Sequence, residues 1–292
     1  MSLIESLPNA TLMSVFDLLP PLQVITTCPL VSKRFLDVAL SPDLWRNKVQ
    51  GLPQVLVDRL ESRLSLSYAK VWYGLYQTNL LSNSNWGNIQ DHRNWLMPAA
   101  TGWRVTLHGG HGWQPEFPPV GSDPLDIDML PRPGAPRVRY AGALASSYQW
   151  CEVMQPVDLL LELQKRGMQR EEAEQYLDGG PELTFAVWVG ARRDCPSVAQ
   201  VLVVLDDGTD VLPTYTGRRE FPWMRSAITH WDSGVVPTER GGWKCSWHTF
   251  TAYSKGVRRA ILVLRGKDEQ FWAGHYGSKF SAPELHFGKC RF

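Results

Sequence analysis

The feature that most constrains this fold is a change of hydrophobic period near residue 82. Ahead of it apolar residues recur at helical spacing; behind it they alternate. Leu12, Val15, Phe16 and Leu19 fall at i, i+3, i+4 and i+7, one face of a helix that Pro20-Pro21 must end. A second short helix accommodates Leu22, Ile25 and Cys28 before Pro29, and a third aligns Val31, Phe35 and Val38 ahead of Ser41-Pro42. Three stubby helices barely make an independent core, so this unit is expected to lean on a partner or a neighbouring domain. From Pro53 to Leu81 the i+4 steps of Leu56, Leu60 and Leu64, then Val71 and Leu75, predict a helical connector.

Beyond "SNSNWGN" (82–88) the period becomes two. Trp243 to His248 alternates apolar with polar, while "VAQVLVVL" (198–205) and "AILVL" (260–264) are runs bounded by Asp206-Asp207-Gly208 and Arg265-Gly266. Repeated short strands with turn signals predict an antiparallel sandwich. A helical interlude is expected from Pro156 to Leu177, broken at Gly167, and the seven prolines between Pro115 and Pro136 predict an exposed, irregular loop or a partly disordered one. The fold class is therefore α+β multidomain: a small three-helix unit over 1–50, a helical linker over 51–81 and a β-sandwich over 82–292.

Thirty basic residues against twenty-nine acidic ones leave no global field to select nucleic acid or an anionic membrane. No run of eighteen apolar residues and no leader pattern is present, so the expected setting is soluble and cytoplasmic. Five widely spaced cysteines without a CxxC pair argue for reduced thiols, against both zinc and a disulfide framework. No GxSxG, Walker A, HExxH or GxGxxG pattern occurs, and no catalytic residue or cofactor is assigned. His108-Gly109-Gly110-His111 offers two metal ligands without a third, and reads equally as a turn; no metal site is assigned. Asp206, Asp207 and Asp210 around a glycine read as a solvated hairpin turn. One stretch remains open: "QFWAGHYG", Gln270 to Gly277. In a strand Phe271 and Trp272 would point to opposite faces, whereas a bend permitted by Gly274 and Gly277 lets both project toward a ligand.

Residues Ser6 to Trp45 resemble the F-box. The matching positions are Leu7-Pro8, the Leu12/Val15/Phe16/Leu19 stripe, the Leu18-Leu19-Pro20 ending, Val31 to Phe35 and Leu44-Trp45. The resemblance implies docking on the Skp adaptor of a Skp/cullin/F-box ubiquitin ligase through an apolar face comprising Leu7, Pro8, Leu12, Val15, Phe16, Leu19 and Trp45. The second half, through "KVWYGLYQTNLL", "GGHGW", "SSYQWC", "VDLLLEL", "VWVGARRD", "GGWKCSWHTFTAYSKGVR" and "FWAGHYGSKF", resembles the F-box-associated domain. Together the halves resemble the sugar-recognising F-box proteins.

That resemblance implies a jelly-roll-like sandwich whose loops at one end grip the inner chitobiose of high-mannose N-glycans. Its ligands would be misfolded glycoproteins retrotranslocated from the endoplasmic reticulum and delivered for ubiquitination. Trp272 falls on the family's glycan-stacking tryptophan, Tyr148 on a loop phenylalanine and Asp194 on a loop aspartate. Phe271 stands where sugar-binding members often have tyrosine, and Ala273 where they often have lysine. An aromatic plane suits pyranose C–H groups, and a carboxylate accepts hydroxyl or amide hydrogens. The expected role is a non-catalytic receptor without nucleic-acid or membrane partners. The alternative is a sandwich that recognises a protein surface without glycan; for a sugar-cleaving enzyme no residue pattern speaks.

Overall fold

The computed structural model describes residues 6–46, 48–49, 51–62, 67–84, 86, 102–125, 142–212 and 227–288. They form two compact units, Met1–Thr78 with Leu163–Gly179, and Asn79–Glu162 with Gly180–Phe292.

In the first unit α1 (Asn9–Leu18) stops because Pro20 pushes Leu19 into the extended region (ψ 151°). Pro21 then opens α2 (Pro21–Thr26), and a 3₁₀ turn carries Cys28–Leu30. Helix α3 spans Lys33–Ala39 and is capped by the Ser32 hydroxyl, which accepts from the Phe35 N–H at 3.2 Å. Val31, expected inside this helix, lies before its cap and is exposed. After α4 (Pro42–Arg46) come α5 (Gln54–Glu61) and α6 (Tyr68–Tyr76). Leu12, Phe16, Phe35 and Trp45 close the centre: Phe16 meets Phe35 edge-on at 5.3 Å, and Trp45 lies 5.3 Å from Trp72 and donates to the Ala39 carbonyl.

The connector is part of this core: Leu56, Leu60, Val71 and Leu75 are all buried, while Leu64 lies outside the described residues. The interlude also belongs here from Leu163 onward, a grouping that the linear boundaries 1–50, 51–81 and 82–292 do not contain. Arg59 makes two bonds, 2.5 and 2.8 Å, to the fully buried Glu172 of α8 (Arg170–Asp178), and Arg166 donates to the Gly74 carbonyl at 2.8 Å. The interlude starts later than expected. Pro156 and Val157 sit in strand β4 (Cys151–Asp158), and helix α7 runs only over Leu159–Lys165 before Gly167 (φ 95°) breaks the chain.

The second unit is a sandwich of two antiparallel sheets. One sheet orders β1 (Arg104–Leu107), β4 (Cys151–Asp158), β10 (Arg259–Asp268), β6 (Ser197–Asp206) and β7 (Thr229–Asp232), with β8 (Val236–Pro237) also beside β6. The other orders β2 (Gln114–Glu116), β3 (Ala143–Ala145), β11 (Lys279–Phe287), β5 (Leu183–Gly190) and β9 (Trp243–Phe250). Trp231 of the first sheet packs on Phe185 of the second at 5.0 Å, so the Val203 and Leu262 face, in register with Trp231, looks inward. The opposite face carries Met154, Leu202, Val204, Ile261 and Val263 beneath Leu212 and Ala227. With both faces covered, β6 and β10 read as unbroken apolar runs.

Two expectations need correcting. Pro115 and Glu116 are not loop but β2, paired with β3, and Leu125 is buried; residues 126–136 lie outside the described set. Asp206 is not a solvated turn residue. It ends β6 buried against Arg259, at 2.6 and 2.9 Å, and from there accepts the Gly208 N–H at 3.0 Å, while Asp207 holds the turn through Thr209.

Candidate functional site

Antiparallel pairing brings the ends of β1, β3, β5 and β10 to one end of the sandwich, so four linking loops meet there. The loop after β10 holds the "QFWAGHYG" run. Asp268 turns the chain out of its strand: one carboxylate oxygen accepts the N–H groups of Gln270 (3.1 Å) and Phe271 (2.9 Å). Burial raises the Asp268 pKa, and those two bonds oppose the rise. Gly274 and Gly277 then act differently from one another. Gly274 sits at φ 81°, where a side chain is strained, whereas Gly277 passes so close to the β3–β4 loop that a Cβ would come within 2.3 Å of the Ser146 hydroxyl.

The far side of the loop is laced to its neighbours. The Gly274 N–H donates to Nδ1 of His111 at 3.0 Å, which fixes that imidazole with its other nitrogen protonated. His275 returns the contact by donating from Nε2 to the His111 carbonyl at 3.1 Å. The Ser147 hydroxyl donates to the Gly274 carbonyl (2.7 Å) and accepts from the His111 N–H (2.9 Å). Burial lowers the His275 pKa, and its bond to the His111 backbone partly offsets this. The HGGH stretch is thus a turn whose second histidine serves as a hydrogen-bond acceptor.

Held this way, Trp272 is 83% exposed and Ala273 stands beside it at the surface. Phe271, 37% exposed, rests on the Tyr276 ring at 4.6 Å. Arg192 lies 4.4 Å over Tyr276 and forks onto Asp194 through bonds of 2.8 and 2.9 Å. That bond holds the Asp194 carboxyl below its ordinary pKa. Tyr148, half-buried, meets His111 edge-on at 5.4 Å. Beneath lies Lys279, fully buried and paired with Glu116; burial pushes its pKa down and the carboxylate opposes the shift. Phe271 is therefore connected to Asp194 through Arg192 and Tyr276, and Tyr148 joins the loop through His111. Sequence reasoning missed Arg192, Tyr276, His111, Ser147 and Asp268, although all but Asp268 lie within quoted stretches.

The expected adaptor-docking residues separate. Leu12, Phe16 and Trp45 are buried within the helical core. Leu7, Val15 and Leu19 are half-buried and Pro8 is exposed. The exposed apolar side chains are others: Leu18 at 87%, Leu30 at 84%, and, about half in solvent, Val31 and Leu40.

The family model described as the F-box associated region matches residues 74–284. The chain belongs to the F-box-associated family. An F-box-like model also matches residues 4–50 of this F-box protein. Among relatives of the F-box-associated chain, F-box only protein 17 of Homo sapiens is 28% identical over 94% of this chain and 89% of its own length. F-box only protein 2 of Bos taurus is 26% identical over 94% and 81%, and F-box only protein 6 of Homo sapiens 26% over 94% and 81%. Among solved structures, TmCBM61 in complex with beta-1,4-galactotriose aligns at 11% identity and TM-score 0.36, covering 73% of this chain and 100% of that one. A likeness that distant transfers no ligand.

Proposed function

We propose that this chain is the substrate-recognition subunit of a Skp/cullin/F-box ubiquitin ligase, with no catalytic step of its own. Its sandwich binds the chitobiose portion of high-mannose N-glycans on misfolded, endoplasmic-reticulum-derived glycoproteins in the cytoplasm. The observation that carries this reading is Trp272: a large indole left in solvent at the tip of a loop fixed by bonds to Asp268, His111 and Ser147. An exposed aromatic plane carried on a backbone that is already fixed stacks on a sugar with only its own side chain left to order. Asp194, linked to the same loop through Arg192 and Tyr276, offers acceptors for hydroxyl or acetamide hydrogens. Phe271 and Ala273 lack a phenol and an ammonium, each worth about 0.5–1.5 kcal/mol as a hydrogen bond, so affinity is set about tenfold or more below that of a site having both.

The helical unit is the adaptor-binding end. Support comes from its F-box-like match and from exposed Leu18, Leu30, Val31 and Leu40, a set too apolar for an unpartnered surface. The alternative, recognition of a protein surface without glycan, is favoured by Phe117 and Val120, which are exposed on the loop whose Gly121 approaches Arg192. A glycan array decides between them: selective retention of chitobiose-containing glycans that is lost in Trp272→Ala supports the first reading. A silent array alongside undiminished capture of glycosidase-treated client protein refutes it.

A further inference from the structure

A two-residue ion pair on a turn is ordinarily a weak constraint. Solvent screens it, and two long side chains must be ordered to form it. Arg192 and Asp194 are such a pair, and the Asp194 side chain is 56% exposed. The Arg192 side chain, however, is only 19% exposed, because three stretches of chain converge on it. Its guanidinium carbon lies 4.4 Å over the Tyr276 ring, its two-point fork takes Asp194, and Gly121 lies against the side chain, where a Cβ would sit 3.2 Å from that same carbon. The other end of the Tyr276 contact is Phe271, at 4.6 Å.

The connected order is thus Asp194, Arg192, Tyr276, Phe271, with Trp272 the next residue along the chain. We infer that Arg192 is the positioning residue of the loop-end site: one guanidinium orients the acceptor carboxylate and, through Tyr276, the aromatic ledge. Both oxygens of Asp194 are spoken for on the Arg192 side, so their remaining lone pairs face away from it in a fixed direction. Lysine would keep the charge but lacks both the fork for the carboxylate and the plane for the ring. Arg192 does not itself need to touch a ligand; it acts through Asp194 and Tyr276.

The test uses the full chain carrying Arg192→Ala and, separately, Arg192→Lys, read in three ways. The binding arm rests on the glycan reading above; the other two arms do not. Carbon-detected NMR titration of Asp194 is expected to show its pKa returning toward the ordinary carboxylate value in Arg192→Ala, because the bond that lowers it is gone. Amide exchange over Gln270–Gly274 is expected to quicken at least about tenfold in both variants as the ledge loosens. Calorimetry with N,N′-diacetylchitobiose is expected to show affinity falling about tenfold, again in both, with the thermal transition little changed. Unchanged exchange and an unchanged Asp194 titration in Arg192→Ala overturn the assignment whatever the sugar result. An Arg192→Lys protein indistinguishable from wild type in exchange and binding also overturns it, since charge alone would then suffice; this variant carries the exchange test if Arg192→Ala does not fold. Wild-type protein that binds no chitobiose, with titration and exchange both shifted as expected, removes the glycan reading and leaves Arg192 in its role.

Discussion

Replacing Trp272 by alanine separates a recognition role from a structural one because the ring is 83% exposed. A fully covered aromatic side chain buries about 150–250 Å², so the covered sixth of this one amounts to ~25–45 Å². At ~25 cal/mol per Å² that is roughly 0.6–1.1 kcal/mol of folding stability, an upper bound because the unfolded chain also hides some surface. A pyranose laid on one face would cover about half of the full area, roughly 2–3 kcal/mol of gross contact, of which about 2 kcal/mol survives as binding for an aromatic anchor. Trp272→Ala is thus expected to weaken a chitobiose-containing oligosaccharide by about thirtyfold while the melting temperature barely moves. Calorimetry and thermal melts of the same preparations measure both. A variant that melts far lower would put the ring in the core; one that melts normally and binds as wild type would refute the stacking argument.

The helical unit gives a matched contrast. Trp45→Ala removes a ring that is fully buried against Trp72 and is expected to destabilise by about 3–5 kcal/mol, whereas Leu30→Asp should leave stability intact and reduce co-purification with the Skp adaptor. Gly277→Ala forces a Cβ against Ser146 and the Ser147 carbonyl, so a loss of about 1–3 kcal/mol is expected in denaturant melts. Burial lowers the pKa of His108, His248 and His275 alike. Below the ordinary histidine value of about 6.5 the unfolded chain therefore takes up protons that the folded chain refuses, and stability falls as pH drops through that window while being fully present above it. Melting temperatures between about pH 7.5 and about pH 5 check this, with His275→Asn expected to flatten the slope.

Much of the fold was legible because particular residues left one option. The spacing of Leu12, Phe16 and Leu19 before two prolines allows only a short helix, and the apolar runs inside Ser197–Asp206 and Arg259–Asp268 are central strands. What failed was local or long-range in identifiable ways. Ser32 is a capping residue, and overlooking it put Val31 into α3. Pro156 was read as a helix start, yet it pairs with Ile261 inside β4. An apolar stripe in a small helical unit serves its own core or a partner, and spacing cannot tell which; Leu12, Phe16 and Trp45 went inward. Asp206 finds Arg259 fifty-three residues away, beyond the reach of any turn pattern. At the site, the glycines of "QFWAGHYG" announced the bend, but not that His111 and Arg192 hold it.

The lacing of that loop also bears on when the site comes into being. Gly274 bonds to His111 across 163 positions and to Ser147 across 127, so no short stretch of sequence carries its own nucleus. Closing such spans is entropically expensive and comes late, after the strands that frame them have paired. The octapeptide alone would therefore present no fixed ledge, and neither would a newly made chain whose sandwich is still incomplete. Ligand capture becomes a property of finished copies alone, so the fraction of a preparation that binds should count the fraction that has folded.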